Sequence, residues 1–168
     1  EKHAGLLMPK RFKKILITGC TGFLGRQVTQ EFLSRGYNVR GTTRTPEEMH
    51  QSILSDFSAG DALELRTLDL NMDEGWQEAM EGIDAVIHTA SPFTAYEPKD
   101  EMELIRPARE GTLRILNNGY AEGIRKLVIT SSTAAILNYA GFEVIGVSMK
   151  LYEASKVSAP KTCCSGLD

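Results

Sequence analysis

Little in this chain points to a specialised environment. It has three cysteines in 168 residues, Cys20, Cys163 and Cys164, and the last two are adjacent. That set gives neither an even disulfide framework nor metal-ligand spacing, so a reducing, cytoplasmic setting is expected and a metal is not. Charge of one sign is also scarce, with 19 Lys and Arg against 22 Asp and Glu for a formal net charge of −3. Such a balance gives no reason to expect nucleic acid or an anionic membrane as a partner. The one dense basic group, Lys10-Arg11-Phe12-Lys13-Lys14, precedes a strand pattern and reads as solvated surface. No apolar run reaches the roughly 18–20 residues that span a bilayer. The five-residue apolar stretch near the N-terminus is too short for the core of a secretory signal. Residues 1–12 read as an extension ahead of the fold, with Met8 a candidate natural start.

What is there is an alternation. "KKILIT" (13–18) is a buried strand, followed by a glycine-rich turn and then "FLGRQVTQEFLSRG", where Leu24, Val28, Phe32 and Leu33 fall at helical spacing and Gly36 marks the stop. "NVRGTTR" (38–44) is a second strand, and Thr45-Pro46-Glu47-Glu48 opens a second helix. "LELRTLDL" (63–70) is a third strand, and Asp73 is placed to cap the short helix carrying Trp76. "DAVIHTA" (84–90) and "KLVITSS" (126–132) are two more strands, separated by an amphipathic helix over 101–122. Strands this apolar, alternating with helices, imply an α/β fold with a doubly wound parallel sheet of Rossmann type. One domain is expected over 13–158, with an irregular tail over 159–168.

"ITGCTGFLG" sets Gly19, Gly22 and Gly25 between the first strand and the first helix. In a dinucleotide loop one glycine turns the chain, one lets backbone N–H groups approach the pyrophosphate, and one lets the helix pack close to the sheet. The helix N-terminus adds aligned N–H groups and partial positive charge. At the end of strand two an acidic residue would accept bonds from the 2′-hydroxyl of NAD. Here the residues are Thr42-Thr43-Arg44, with no acid before Glu47. A guanidinium suits a 2′-phosphate instead, so NADP(H) is the favoured cofactor.

The glycines are spaced as T-G-x-x-G-F-L-G. With "VIHTASPF", "LVITSSTAAI" and then Y-x-x-S-K, the pattern resembles the extended short-chain dehydrogenase/reductases. Within them it is most similar to the dihydroflavonol reductase and cinnamoyl-CoA reductase group. The resemblance runs from about residue 13 to 157. It implies that Gly19, Thr21, Gly22, Phe23, Leu24 and Gly25 cradle the phosphates and that Arg44 meets the 2′-phosphate. Asp69 and Leu70, ending strand three, would bracket the adenine. Thr89, Ala90 and Ser91, ending strand four, would line the ribose and nicotinamide side. Ser132, Tyr152 and Lys156 match the catalytic set, with Ser131 the neighbour to test beside Ser132.

The chemistry fits those residue types. Reducing a carbonyl needs hydride at carbon and a proton at oxygen, and a phenol with a pKa of about 10 yields its proton poorly at neutral pH. A lysine cation one helical turn away favours the phenolate, and a serine hydroxyl can steady the developing alkoxide. By contrast His88, within an apolar strand, reads as a core histidine rather than a metal ligand. Cys20 reads as a small side chain fitted to the loop.

Two stretches depart from the pattern. Only 20 positions separate Ser132 from Tyr152, where the extended families carry a longer loop. Either the loop is truncated or residues are missing around 142–150. After Lys156 the resemblance implies a further substrate-binding region, but Pro160 disfavours a helix there and "KTCCSGLD" has no pattern, so the fold is expected to be incomplete on its C-terminal side. Two functions therefore stay open. One is an NADPH-dependent reductase of a small-molecule ketone or aldehyde, seen as its cofactor-binding part. The other is a truncated paralogue that binds NADP(H) without turnover. Within the enzyme class, a nucleotide-sugar epimerase or dehydratase is the lesser alternative. Substrate identity and oligomeric state are not legible.

Overall fold

Ile15, Leu16 and Ile17 cannot leave either face of a strand in water, and they form the centre of the sheet. In the computed structural model, which describes residues 13–91, 100 and 102–131, this strand is β1 (Lys14–Thr18). It is followed by α1 (Phe23–Ser34), β2 (Asn38–Thr43), α2 (His50–Phe57), β3 (Leu63–Thr67), α3 (Trp76–Met80), β4 (Ala85–His88), α4 (Met102–Ala121) and β5 (Leu127–Ile129). Every pairing among these strands is parallel, in the order β3-β2-β1-β4-β5. The chain winds from β1 to one edge and then resumes on the other side of β1. This is the doubly wound α/β sheet read from the alternation. Among the described residues no helix is long and apolar enough to cross a membrane.

Successive side chains of β1 point to opposite faces and seed two cores. Ile15 and Ile17 pack with Val39, Leu63 and Phe57, and Val28, Phe32 and Leu33 of α1 close over them. Leu16 lies on the other face with Val86, Trp76, Met80 and Ile115, beneath α3 and α4. Cys20 is fully buried in the first core, where desolvation pushes its thiol up to about 12. A Cβ on Gly41 would come within 2.5 Å of the Cys20 sulfur, so glycine on β2 makes room for this cysteine.

Several boundaries differ from those read off the sequence. The β2–β3 ladder ends where Leu68 N–H donates to the Thr43 carbonyl at 2.9 Å, so Asp69 and Leu70 lie in the loop beyond β3 rather than in the strand. Likewise Thr89, Ala90 and Ser91 follow β4 instead of belonging to it. Pro46 stands before a 3-10 turn at Glu47–Met49, and the α-helix proper begins at His50. Asp73 does not cap α3. Gly75 occupies that position with φ +80°, and Asp73 Oδ1 instead accepts a 2.5 Å bond from Arg114 Nε on α4. Leu24 is 45% exposed, because Gly25 and Thr29 are the α1 residues buried against the sheet.

One core residue is charged. Arg40 of β2 is 7% exposed and lies on the α3 side of the sheet. Its Nη1 donates to the carbonyls of Glu78, Ala79 and Glu81 at 3.2, 2.8 and 2.9 Å, and its Nε donates to Glu64 Oε2 at 3.1 Å. The guanidinium thus donates to carbonyls at the end of α3, where the Glu78 carbonyl also accepts the Glu81 N–H, and brings positive charge to the negative end of its dipole. Glu64 also accepts from Lys14 Nζ at 2.7 Å, so one carboxylate joins β1, β2 and β3. Partial burial by itself would raise the Glu64 pKa. Hydrogen bonds from Lys14 and Arg40, with the attraction of their charges, outweigh it and hold the group down to about 2.

A folded-state pKa below the unfolded value contributes stability above about pH 4.5, lost as pH falls toward 2. The thermal midpoint should therefore drop over that window, and Glu64→Gln should flatten the drop while lowering the midpoint at pH 7. A Glu64→Gln protein with an unchanged acid profile would show that the carboxylate is not the linked group.

Candidate functional site

The site begins where β1 ends. Gly19 adopts φ +66°, in the left-handed region open to glycine, and a Cβ there would press on the Ala90 backbone at 3.0 Å. The turn that follows is tied to β2: Cys20 N–H donates to the Thr42 carbonyl at 3.1 Å, and Thr21 Oγ1 lies 3.2 Å from Thr43 Oγ1. Gly22 N–H returns to the Gly19 carbonyl at 3.0 Å, and α1 starts at Phe23 with Gly22 as its N-cap. No side chain caps this helix and no acid lies in its first turn.

The three glycines are not equivalent. A Cβ on Gly25 would lie 2.0 Å from the Gly19 oxygen and 2.9 Å from Thr89 Oγ1, which no relaxation of side chains relieves. A Cβ on Gly22 would meet only the Gly19 oxygen, at 3.3 Å. Gly25 is therefore demanded by packing of α1 on the loop. Gly22 borders open space.

That space is a cleft of about 300 Å³ beyond the carboxyl ends of β1, β2 and β4, at the point where strand order reverses. The glycine loop contributes Gly19, Thr21, Gly22, Phe23, Leu24 and Gly25; Arg44 enters from the end of β2; Asp69 and Leu70 come from the loop after β3; and Thr89, Ala90 and Ser91 follow β4. Every cofactor-contact residue named from the resemblance within the described chain thus borders one cleft. Ser132, Tyr152 and Lys156, with the short spacing between them and the tail, lie outside the described residues. Ser131 is described, and it is exposed just beyond β5.

Each wall is held by hydrogen bonds that the sequence did not announce. Thr18 Oγ1 sits 2.7 Å from His88 Nδ1 and accepts Ala90 N–H at 3.1 Å, while Thr89 Oγ1 donates to the Thr18 carbonyl at 2.5 Å. His88 is the core histidine expected from its apolar strand. In the β3 loop, Asp69 Oδ1 accepts Asn71 N–H at 2.9 Å. Trp76 Nε1 donates to the Asp69 and Met72 carbonyls, both at 3.1 Å, and Arg114 donates to the Leu70 carbonyl. Thr42, Thr43, Leu68 and Trp76 also line the cleft. Sequence reading missed them because they sit one or two residues from motif positions, or on a helix whose packing decides their orientation. Arg44 is exposed and makes no hydrogen bond or ion pair among the described residues.

The pattern that one protein family shares extends over residues 15–163 of this chain. The chain belongs to the NAD dependent epimerase/dehydratase family. The extended short-chain dehydrogenase/reductase resemblance read from the motifs is borne out with it. Among its relatives, the chain is similar to cinnamoyl-CoA reductase 1 of Arabidopsis thaliana, 33% identical over 125 residues, or 74% of this chain and 35% of that one. It is also similar to dihydroflavonol 4-reductase of Callistephus chinensis, 37% identical over 126 residues, covering 73% of this chain and 34% of that protein. The crystal structure of Gre2 in complex with NADPH from Candida albicans superposes with a TM-score of 0.71 at 26% identity, over 88% of this chain and 50% of that one. The chain spans about a third of the length of these curated relatives.

The difference between the two family glycines is testable without a ligand. Gly25→Ala should destabilise the protein by about 2–3 kcal/mol, as overpacking against rigid backbone does. Gly22→Ala should cost no more than about 1 kcal/mol, the penalty of a poorer N-cap. Denaturant unfolding measures both, and equal losses would contradict the asymmetry.

Proposed function

We propose that this chain is the NADP(H)-binding part of a reductase acting on a small-molecule ketone or aldehyde. The observation that carries the cofactor assignment is Arg44. It borders the cleft at the end of β2, unpaired among the described residues, where an NAD site would place a carboxylate. The fit of a dinucleotide rests on three further features: the open space above Gly22, the uncapped N-terminus of α1, and the left-handed turn at Gly19. In this reading the first-turn N–H groups of α1 and the Gly22 backbone hold the pyrophosphate, and Arg44 pairs with the 2′-phosphate. Asp69 and Leu70 flank the adenine, and Thr89, Ala90 and Ser91 line the far end.

The cofactor, when bound, supplies the hydride. The rest of the chemistry belongs to side chains of this chain. Tyr152 holds the proton that passes from its phenolic oxygen to the substrate oxygen. Lys156 favours the phenolate by its charge and holds ribose hydroxyls. Ser132 donates to the substrate oxygen and steadies its developing negative charge. The cinnamoyl-CoA and dihydroflavonol reductases at 33% and 37% identity favour a reductase over an epimerase or dehydratase. They leave the carbonyl substrate unspecified.

Two measurements test this. Arg44→Asp should weaken NADPH on the order of a hundredfold in a fluorescence titration, while NADH changes by less than about threefold. Equal losses would argue against a 2′-phosphate contact. Tyr152→Phe should lower NADPH oxidation with a panel of aldehydes and ketones by about 10²-fold or more, with cofactor affinity kept. A chain that binds NADPH tightly yet reduces no member of the panel, with Tyr152 intact, supports the binding-only paralogue.

A further inference from the structure

Arg44 is a long, exposed side chain whose usefulness to a 2′-phosphate depends on where its backbone is held. The β2–β3 ladder ends one residue earlier, at Thr43. Beyond it the chain is held by side chains. Thr43 Oγ1 accepts Thr45 N–H at 3.1 Å, a turn closed two residues on, with Arg44 at its centre. The same hydroxyl bonds Thr45 Oγ1 at 3.0 Å and lies 3.2 Å from Thr21 Oγ1 of the glycine loop. On the far side, the Thr45 carbonyl accepts from Thr67 Oγ1 at 2.8 Å and from His50 Nε2 at 3.1 Å. A carbonyl only accepts, so Nε2 carries the proton, and it is shared with Thr67 Oγ1 at 3.1 Å.

We propose that His50 and Thr67, converging on the Thr45 carbonyl, are positioning residues that set the preference of this site for a 2′-phosphorylated nucleotide by fixing the Arg44 turn. The proposal rests on the NADP(H) reading of the cleft. Neither residue is in the glycine loop, and neither is a motif position of the resemblance. Both act through Arg44. His50 is the first residue of α2 and Thr67 the last of β3, so the clamp joins three segments around one turn. Without it, the Arg44 backbone is anchored on one side only, and a guanidinium meeting its phosphate must then be ordered from a wider ensemble. The rest of the nucleotide meets the glycine loop and the residues Asp69 and Leu70 after β3, and no hydrogen bond between those residues and the Thr45 carbonyl is formed among the described residues.

The test uses 2′,5′-ADP and 5′-AMP as probes, titrated calorimetrically into the full chain, with thermal unfolding as the control for folding. Thr67→Val and His50→Phe should each weaken 2′,5′-ADP about tenfold while 5′-AMP changes by less than about twofold. Thr67→Ser keeps the hydroxyl and should bind like the parent. In an Arg44→Gln background, Thr67→Val should cost 2′,5′-ADP no more than about twofold further, because the residue it positions is gone. Equal losses for both probes, or a loss that persists without Arg44, would overturn the proposal. If Thr67→Val does not fold, His50→Phe reads the same clamp from α2. A parent protein that binds 2′,5′-ADP no better than 5′-AMP overturns the NADP(H) reading itself. A parent that does prefer 2′,5′-ADP, with variants that keep the preference, overturns the clamp alone.

Discussion

The contact between Gly25 and the Gly19 carbonyl sets the geometry of the whole upper face. With a Cβ excluded at 2.0 Å, α1 can lie directly on the turn leaving β1. That closeness brings the helix N-terminus over the ends of β1 and β4, and it leaves the first-turn N–H groups facing a cleft rather than a capping side chain. The turn itself then has to be fixed, since a loop pressed by a helix has no room to relax. It is fixed to β2 through Cys20 and Thr21, and to the segment after β4 through the close approach of Gly19 to Ala90. Burial of Cys20 and the bare Gly41 beneath it are consequences of the same compression.

At the opposite end of the strands the sheet is held differently. Arg40, Glu64 and Lys14 place ionic groups where the pattern of neighbouring strands would put hydrocarbon. A partly buried ion pair is weak evidence of net stability, because desolvation and solvent screening offset much of the attraction. Its geometric role is clearer. Helix α3 has five residues, and Arg40 ties down its C-terminal end by donating to the carbonyls of Glu78, Ala79 and Glu81. Trp76 at the start of that helix bonds the Asp69 and Met72 carbonyls. The guanidinium at the base of the sheet is thereby connected, through one short helix, to the loop at the rim of the cleft.

Fold and site were legible to different depths. Periodicity located the five strands and four α-helices of the described residues, because apolar strands buried on both faces carry a strong signal. It overran the C-terminal ends of β3, β4 and β5, since "LDL", "TA" and "TS" (130–131) continue an apolar or β-prone pattern after the ladder has ended. Helix α4 was read correctly in spite of Pro107, which lies in its second turn. The site was legible wherever a residue type is forced by local geometry, as at Gly19 and Gly25. It was opaque where function depends on contacts across 22 to 72 positions: Thr18 with Ala90, Thr45 with Thr67, and Leu70 with Arg114. Arg40 and Asp73 show the same limit. Their partners lie on distant elements, and local rules assigned Asp73 to the nearest helix end.

The polar groups around the cleft divide into those the protein satisfies and those it leaves open. The carbonyls of Thr45, Asp69 and Leu70 are each taken by a side-chain donor from another part of the chain. The Asp69 carboxylate is partly occupied by Asn71 through Oδ1. By contrast, the N-terminus of α1 has no side-chain cap, and Arg44 has no partner among the described residues. The acceptors are consumed internally while donors and positive charge are left exposed to one space. Such an arrangement is costly for the protein alone and favourable beside an anion. The two open features lie at the start of α1 and the end of β2, so a ligand bearing two separate phosphate groups would engage both. That is the physical argument behind the proposal of a 2′-phosphorylated dinucleotide over one carrying only the pyrophosphate.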